Sequence, residues 1–385
     1  MKSTQFLQNK RQERKIQTQE LLDFERLFKK NTYENFLESA KIIYNGNNQK
    51  VTQYILYNWE YNPHITIYEN ICSNGIKGDL QFLDDIEIDF FTEKGYIKKK
   101  FKKNNAIIPK KQEKIIYRIN RFDTNNPYES FHSYFNLYFV ISAFNINRQK
   151  LKIVIMDKLN KSNNFDTEFW SNISNDVVYN NDTENYKYNM VIASQTSGSS
   201  IICTKIKNSP IQGRGVSCNC KCELYIDFIF WIKNIFQIPV SNNNKIIIWC
   251  SRNDFNNRKI FRKIKDEDKI IQKIQEKIDV EIKKVEFNKL SFKESIEISS
   301  KSYIFIGAHG AGLIWSSFMT KESNLIEFFG NDRLSNNMHY RNIASFCSHK
   351  YNYFNLKGYD EHTLQFSNDD LNKLINLIIE KLDGS

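Results

Sequence analysis

The sequence predicts an α/β protein built on parallel, doubly wound sheets. Three observations carry that prediction. From about Ile115, short apolar runs alternate with longer helical ones, as strands joined by crossover helices do. Lys245–Cys250 is almost continuously apolar, which suits a strand buried on both faces, and Lys152–Asp157 is a second, short apolar strand. A glycine-rich turn, Gly307-Ala308-His309-Gly310-Ala311-Gly312, sits where a strand pattern ends and a helical one begins.

The elements follow in order. Residues 10–45 read as helix, with Leu21, Leu22, Phe24, Leu27 and Phe28 at helical spacing. Residues 50–115 are strand-rich, around Tyr54-Ile55-Leu56-Tyr57 and Ile65-Thr66-Ile67-Tyr68, and Lys98–Lys114 reads as a basic loop or solvated edge. Tyr128–Phe144 is a buried aromatic helix and Lys152–Asp157 a strand ending in an acid. A helix starts at Phe169, strands follow at Met190–Ile192 and Ile201–Cys203, and Tyr225–Phe236 is an aromatic helix. Pro239 and Ser241-Asn242-Asn243-Asn244 mark a linker. Behind it come strand Lys245–Cys250, helix Asp266–Ile278, strand Val280–Val285, a capping box at Ser291–Glu294, strand Tyr303–Ile306, helix Ala311–Met319 and strand Asn324–Phe328. A final helix is capped at Ser367.

At roughly 100–200 residues per domain, 385 residues make two or three domains. We expect an N-terminal extension or variable part over 1–114, a Rossmann-like domain over 115–238 and a second over 239–385. A 41% apolar and 26% charged composition excludes collagen-like and wholly disordered chains. No apolar run reaches the ~18–20 residues of a membrane helix, so no membrane span is expected. The N-terminus lacks the apolar stretch of a secretory signal. Taken as complete, the chain is expected in the cytoplasm, or in a cytoplasmic viral or parasite compartment. Seven cysteines, an odd number, are then reduced thiols, and the sequons at Asn172 and Asn181 carry no meaning outside a secretory lumen. A net charge of +11 suits nucleic acid, a membrane surface or a small anion. Its basic residues are dispersed and no nucleic-acid module is present, so nucleic acid is not expected as a partner.

Candidate site residues cluster at two strand ends. Glycines at 307, 310 and 312 let backbone approach a phosphate, and a helix start at Gly310, Ala311, Gly312 and Leu313 presents free N–H groups. The spacing is G-x-x-G-x-G, which does not name a dinucleotide; packing at a strand–helix junction is the plainer explanation. His309, among small neighbours, is expected to be exposed and to donate to a phosphate or sugar oxygen. Glu327 ends the next strand, where an acid accepts from ribose hydroxyls. Arg252 and Arg258 follow a buried strand and suit phosphate pairing; Arg262 and Lys263 read as solvated loop. Asp266-Glu267-Asp268 formally matches a metal-binding D-x-D, but acids suit a helix N-terminus. Cys218-Asn219-Cys220-Lys221-Cys222 lacks the C-x₂-C spacing of zinc sites. No metal is expected.

Gly307 to Leu313, then Phe318-Met319 and Glu327, resembles glycosyltransferase family 61. Ser251-Arg252 with Arg258 matches the family's Ser-Arg and second Arg. Asn126 to Phe131 with Asn136-Leu137-Tyr138 resembles its Asn-x-Tyr-His segment. Asp157, Phe169-Trp170 and Cys218–Cys222 before the helix over 225–236 also fall where the family has counterparts. The resemblance covers about residues 115–350. It departs at Glu129, where the family has His, and at Ser133, where it often has Asp; His132 is the equivalent under a shifted register.

That resemblance implies a GT-B architecture, two Rossmann-like domains with the active site between them. It also implies an inverting, metal-independent transfer from a nucleotide sugar, commonly a UDP-sugar, to a hydroxyl of a glycan or glycoprotein. No cofactor is implied beyond that donor. Arg252, Arg258 and the 310–313 turn then meet the leaving diphosphate, and Glu327 the ribose. Glu129, His132 and Asp157 are candidates for the acceptor-side base. A degenerate transferase without turnover and a nucleotide-cofactor oxidoreductase are the competing readings.

Overall fold

The computed structural model describes residues 32–46, 48–55, 64–74, 79–82, 85–92, 95–101, 111–121, 123–157, 164–179, 186–193, 205–206, 209–210, 221–239, 246–255, 258–330, 338–360 and 362–384. Several expected features lie outside them: most of the 10–45 helix, the 201–203 strand, the Asn181 sequon, Cys218 and Cys220, and the 241–244 linker. The chain is mixed α/β with parallel sheets and divides into two compact units, with the boundary between Pro210 and Ile211.

In the first unit the main sheet runs in the order Lys41–Gly46, Gln49–Ile55, His64–Asn74, Tyr186–Ala193, Lys111–Ile119, Leu151–Ile155, Val177–Tyr179. The last four strands are mutually parallel. The first three join antiparallel, through His64–Asn74 against Tyr186–Ala193. Strands Lys41–Gly46, Gln49–Ile55 and His64–Asn74 therefore extend the parallel part of the sheet. Helix Pro127–Ala143 returns the chain from Lys111–Ile119 to Leu151–Ile155, and helix Asn164–Ile173 carries it to Val177–Tyr179. The first of these is aromatic and apolar nearly all round, as a helix enclosed by its domain must be. Leu151–Ile155 is buried at every position, matching its nearly continuous apolar run.

The second unit holds five parallel strands in the order Ile282–Val285, Ile246–Cys250, Ser302–Ala308, Asn324–Phe329, Lys350–Asn355. Ile247, Trp249, Ile304, Ile306, Ile326 and Phe328 pack on one face with Ile270 and Ile274 of helix Glu267–Gln275 and with Leu371, Leu374 and Ile378 of helix Asn368–Asp383. Phe305, Phe287 and Trp315, stacked in series, cover the other face, with Phe292 edge-on to Trp315. Helices on both faces make the sheet doubly wound. The capping boxes are present at Ser291–Glu294 and at Ser367–Asp370. Helix Glu223–Ile235 belongs to this unit; Cys222 caps it, and Tyr225 bonds to Ser317 at 2.8 Å.

Candidate functional site

Strand order in the second unit changes direction once, between Ile246–Cys250 and Ser302–Ala308. In open parallel sheets the crevice outside the carboxyl ends at such a point takes ligands. Ser251-Arg252 leaves the first strand there, and His309-Gly310 the second.

Two guanidinium groups converge on one backbone oxygen at this point. Arg252 donates from Nη1 to the His309 carbonyl at 3.1 Å and from Nε to the Phe261 carbonyl at 3.1 Å. Arg262 donates from Nε to the same His309 carbonyl at 2.7 Å. Its backbone is left-handed (φ 63°). Gly310 is extended (φ 160°, ψ 172°), so its φ does not demand glycine. Space does: a Cβ there would lie 1.5 Å from Arg252 Nη1. Gly312 is crowded in the same way by Cys250 Sγ, 2.9 Å from where its Cβ would stand.

His309 is 4% exposed, so the expectation of an open ring is corrected. Sheet register is the reason. Glu327 lies beside Gly307 on the neighbouring strand, and its Oε1 meets His309 Nδ1 at 2.5 Å. The ring stacks with Phe329 and His339 and meets the edge of Tyr340. Glu327 itself is fully buried, and its other oxygen accepts from Tyr351 Oη at 2.7 Å. Burial pushes the carboxyl up to about 8, against the lowering effects of the Tyr351 hydrogen bond and the Arg262 charge. Burial and the Glu327 charge raise Tyr351 in turn.

The turn continues as a helix, Ala311–Phe318, of the 3₁₀ type. Leu313 is fully buried and its N–H donates to the Gly310 carbonyl at 2.9 Å, so it is not an open anion donor; Ala311 and Gly312 are half-buried. Arg258 is exposed and closes a short loop through backbone hydrogen bonds with Phe255. Arg262, read from sequence as solvated loop, supplies the second guanidinium at the His309 carbonyl. The acids at 266–268 are all engaged, and Glu267 and Asp268 share Lys284. Asp266 pairs with Lys269; Glu267 accepts from Trp249 Nε1 at 2.7 Å and Ser251 Oγ at 2.6 Å; Asp268 pairs with Lys284. Glu267 thus ties its helix start to the strand end that carries Arg252.

In the first unit, Arg121 and Asp157 follow two adjacent parallel strands. Arg121 grips Asp157 through Nη2 at 2.7 Å and Nε at 3.0 Å, and donates through Nη1 to Asp166 at 2.8 Å. Asp166 also accepts from Tyr134 Oη and Trp170 Nε1. Its burial raises the carboxyl, while Arg121, Tyr134 and Trp170 oppose that. Asp157 is therefore clamped in a buried ion-pair network, a poor posture for accepting a substrate proton. His132 is fully buried, edge-on to Tyr128. Glu129 is half-buried in the first turn of its helix, and burial followed by the Asp123 charge raises its carboxyl. The cap of that helix is Asn126, whose side chain accepts from the Tyr128 and Glu129 N–H groups.

The family model of glycosyltransferase 61 matches residues 93–326, more than half of the chain. The chain belongs to glycosyltransferase family 61. A search of curated proteins finds no match. In this glycosyltransferase the fold brings together Arg252, His309, Gly310 and Glu327 around one turn, and adds Arg262, Tyr340 and Tyr351, which sequence reasoning missed. Tyr351 carries no local signal, because its role comes from register across two strands. Arg262 had one: it is the last arginine before the acidic helix start. Glu129, His132 and Asp157 lie in the first unit, on one helix and a neighbouring strand end.

Proposed function

We propose that the chain transfers a sugar, with inversion and without a metal, from a UDP-sugar to a hydroxyl of a glycan or glycoprotein, within a GT-B arrangement of its two units. The observation that carries the reading is the pair of guanidinium groups at the His309 carbonyl, placed at the switch point of a doubly wound sheet. Guanidinium groups pair bidentately with phosphate oxygens, and two of them balance the charge that builds on a departing diphosphate. Arg252 and Arg262 take the phosphates, with His309 beside them. In a single displacement, a base on the acceptor side removes the hydroxyl proton as the sugar–phosphate bond breaks. Glu129 fits that task best among the three candidates. It is half-exposed with a raised carboxyl, whereas His132 is enclosed and Asp157 is held by Arg121. Binding of UDP, UDP-sugars, NAD and oligonucleotides, measured by thermal shift, tests the reading. A shift with UDP and its sugars alone is expected; a shift with NAD alone would overturn it.

A further inference from the structure

Two buried cysteines meet in the second unit. Cys222 caps the start of helix Glu223–Ile235, and Cys347 ends helix His339–Phe346. Both are thiols in this structure. We propose that they join as a disulfide when the chain folds in an oxidising environment, a covalent tie between the start of one helix and the end of the other that stabilises the second unit.

The backbone brings the two residues together. The Cys222 N–H donates to the Phe346 carbonyl at 3.1 Å, and Cys347 is the next residue after that acceptor. Covalent geometry then keeps the two Cα atoms within about 4–7 Å, as the same bond keeps residues i and i−3 of a helix about 5 Å apart. A disulfide spans ~4.4–6.8 Å. The side chains share one neighbourhood. Cys222 Sγ accepts from the Tyr225 N–H at 3.4 Å, and Cys347 Sγ donates to the Ser317 carbonyl at 3.8 Å. Tyr225 Oη and Ser317 Oγ bond to each other at 2.8 Å. Both cysteines act electrostatically on Tyr225, and Cys347 acts on Cys222. The odd total of seven cysteines, which favours reduced thiols, does not speak against a single pair.

Burial pushes both thiols up, Cys347 to about 12. The thiolate is the attacking species, so the pair is inert inside the finished core and the bond forms as the core assembles. Lys233 favours Cys347 as the second attacker. Its Nζ donates to the Phe318 carbonyl at 2.9 Å, and its charge opposes the rise of the Cys347 thiol. With oxidised glutathione as the oxidant, the Cys222 thiolate attacks one glutathione sulfur and the other leaves as a glutathione thiolate. The Cys347 thiolate then attacks the Cys222 sulfur of this mixed disulfide, and the second glutathione leaves. Two cysteine thiols give up two protons and two electrons, and one oxidised glutathione becomes two reduced ones. The bridge closes the chain from 222 to 347, a long loop whose closure strongly restricts the unfolded state.

The test makes the full chain by cell-free synthesis, once with a mixture of reduced and oxidised glutathione and once with dithiothreitol. Remaining thiols are alkylated under denaturing conditions and the protein is cut with trypsin. Lys221 separates Cys222 from Cys218 and Cys220, so the bridge gives a product of its own, residues 222–233 joined to residues 342–350. Mass spectrometry should find that product after synthesis with glutathione and not after synthesis with dithiothreitol. The bridged protein should unfold at a midpoint about 5–15 °C above the thiol form. Cys222→Ser keeps a favoured helix cap and should unfold at one temperature from both syntheses. Alkylation of both cysteines in the protein made with glutathione, or Cys347 joined to any cysteine other than Cys222, would overturn the pairing. A bridged product with no rise in midpoint would overturn the stabilising role.

Discussion

Gly310→Ala should weaken nucleotide binding by acting on an arginine it does not carry. A Cβ at 310 would stand 1.5 Å from Arg252 Nη1 and 2.5 Å from Cζ, so the guanidinium must move by about 2 Å to reach ordinary contact. That breaks the 3.1 Å bond to the His309 carbonyl. The displaced group is the end of a flexible, half-buried side chain, so the cost to the fold should stay near ~1 kcal/mol, that of one hydrogen bond. Losing a charge-assisted contact to a phosphate costs about 1.5–3 kcal/mol, ten- to a hundredfold in affinity. Calorimetry with UDP, alongside thermal unfolding, separates the two effects. The decisive comparison is a cycle of Gly310→Ala, Arg252→Ala and the double variant. If Gly310 matters because Arg252 lies over it, the double variant should bind no worse than Arg252→Ala. Additive losses would show that the glycine meets the ligand directly, and an unchanged Arg252→Ala would remove Arg252 from the phosphate site altogether.

Three further outcomes are expected. Transfer should persist in EDTA; loss on chelation with recovery in Mn²⁺ would contradict a metal-free mechanism and point back to Asp266 and Asp268. Glu129→Gln should slow transfer at least ~10²-fold with nucleotide affinity retained, and His132→Ala should not; if neither slows it, the base lies elsewhere. His349 is buried, its ring nitrogens have no hydrogen-bond partner among the described residues, and burial and the Lys233 charge hold it down to about 3. A depressed histidine contributes stability that is complete above its unfolded value, near 6.5, and lost as pH falls toward 3. About 2 kcal/mol should therefore go between pH 7 and 5 in denaturant titrations, and His349→Leu should lack that part of the loss.

What the sequence made legible was what depends on near neighbours. The buried strands at 246–250, 302–308 and 324–329 announce themselves by composition, and both capping boxes by residues three apart. Asn126 caps the helix that Pro127 opens, a pairing of near neighbours that sequence reasoning did not use. What stayed hidden depends on partners far along the chain. Arg121 meets Asp157 across 36 residues, Arg262 meets the His309 carbonyl across 47, and Tyr351 meets Glu327 across 24. No periodicity encodes such meetings. The ring of His309 was misjudged for the same reason: small neighbours in sequence say nothing about a carboxyl arriving from the next strand.

The antiparallel strands added to the first sheet bear on what counts as a working piece of this chain. The family match begins at 93, between the paired strands Ile86–Thr92 and Gly95–Phe101, and stops at 326, inside Asn324–Phe329. A fragment cut to those limits would strip His64–Asn74 from Tyr186–Ala193 and leave an eight-residue edge with unsatisfied backbone donors and acceptors, open to pairing with other chains. At the far end it would halve one strand of the second unit's sheet and delete Lys350–Asn355, and Tyr351 with it. The stretch that the family model matches is thus shorter than the sheets it belongs to, and strands outside it pair with both of them.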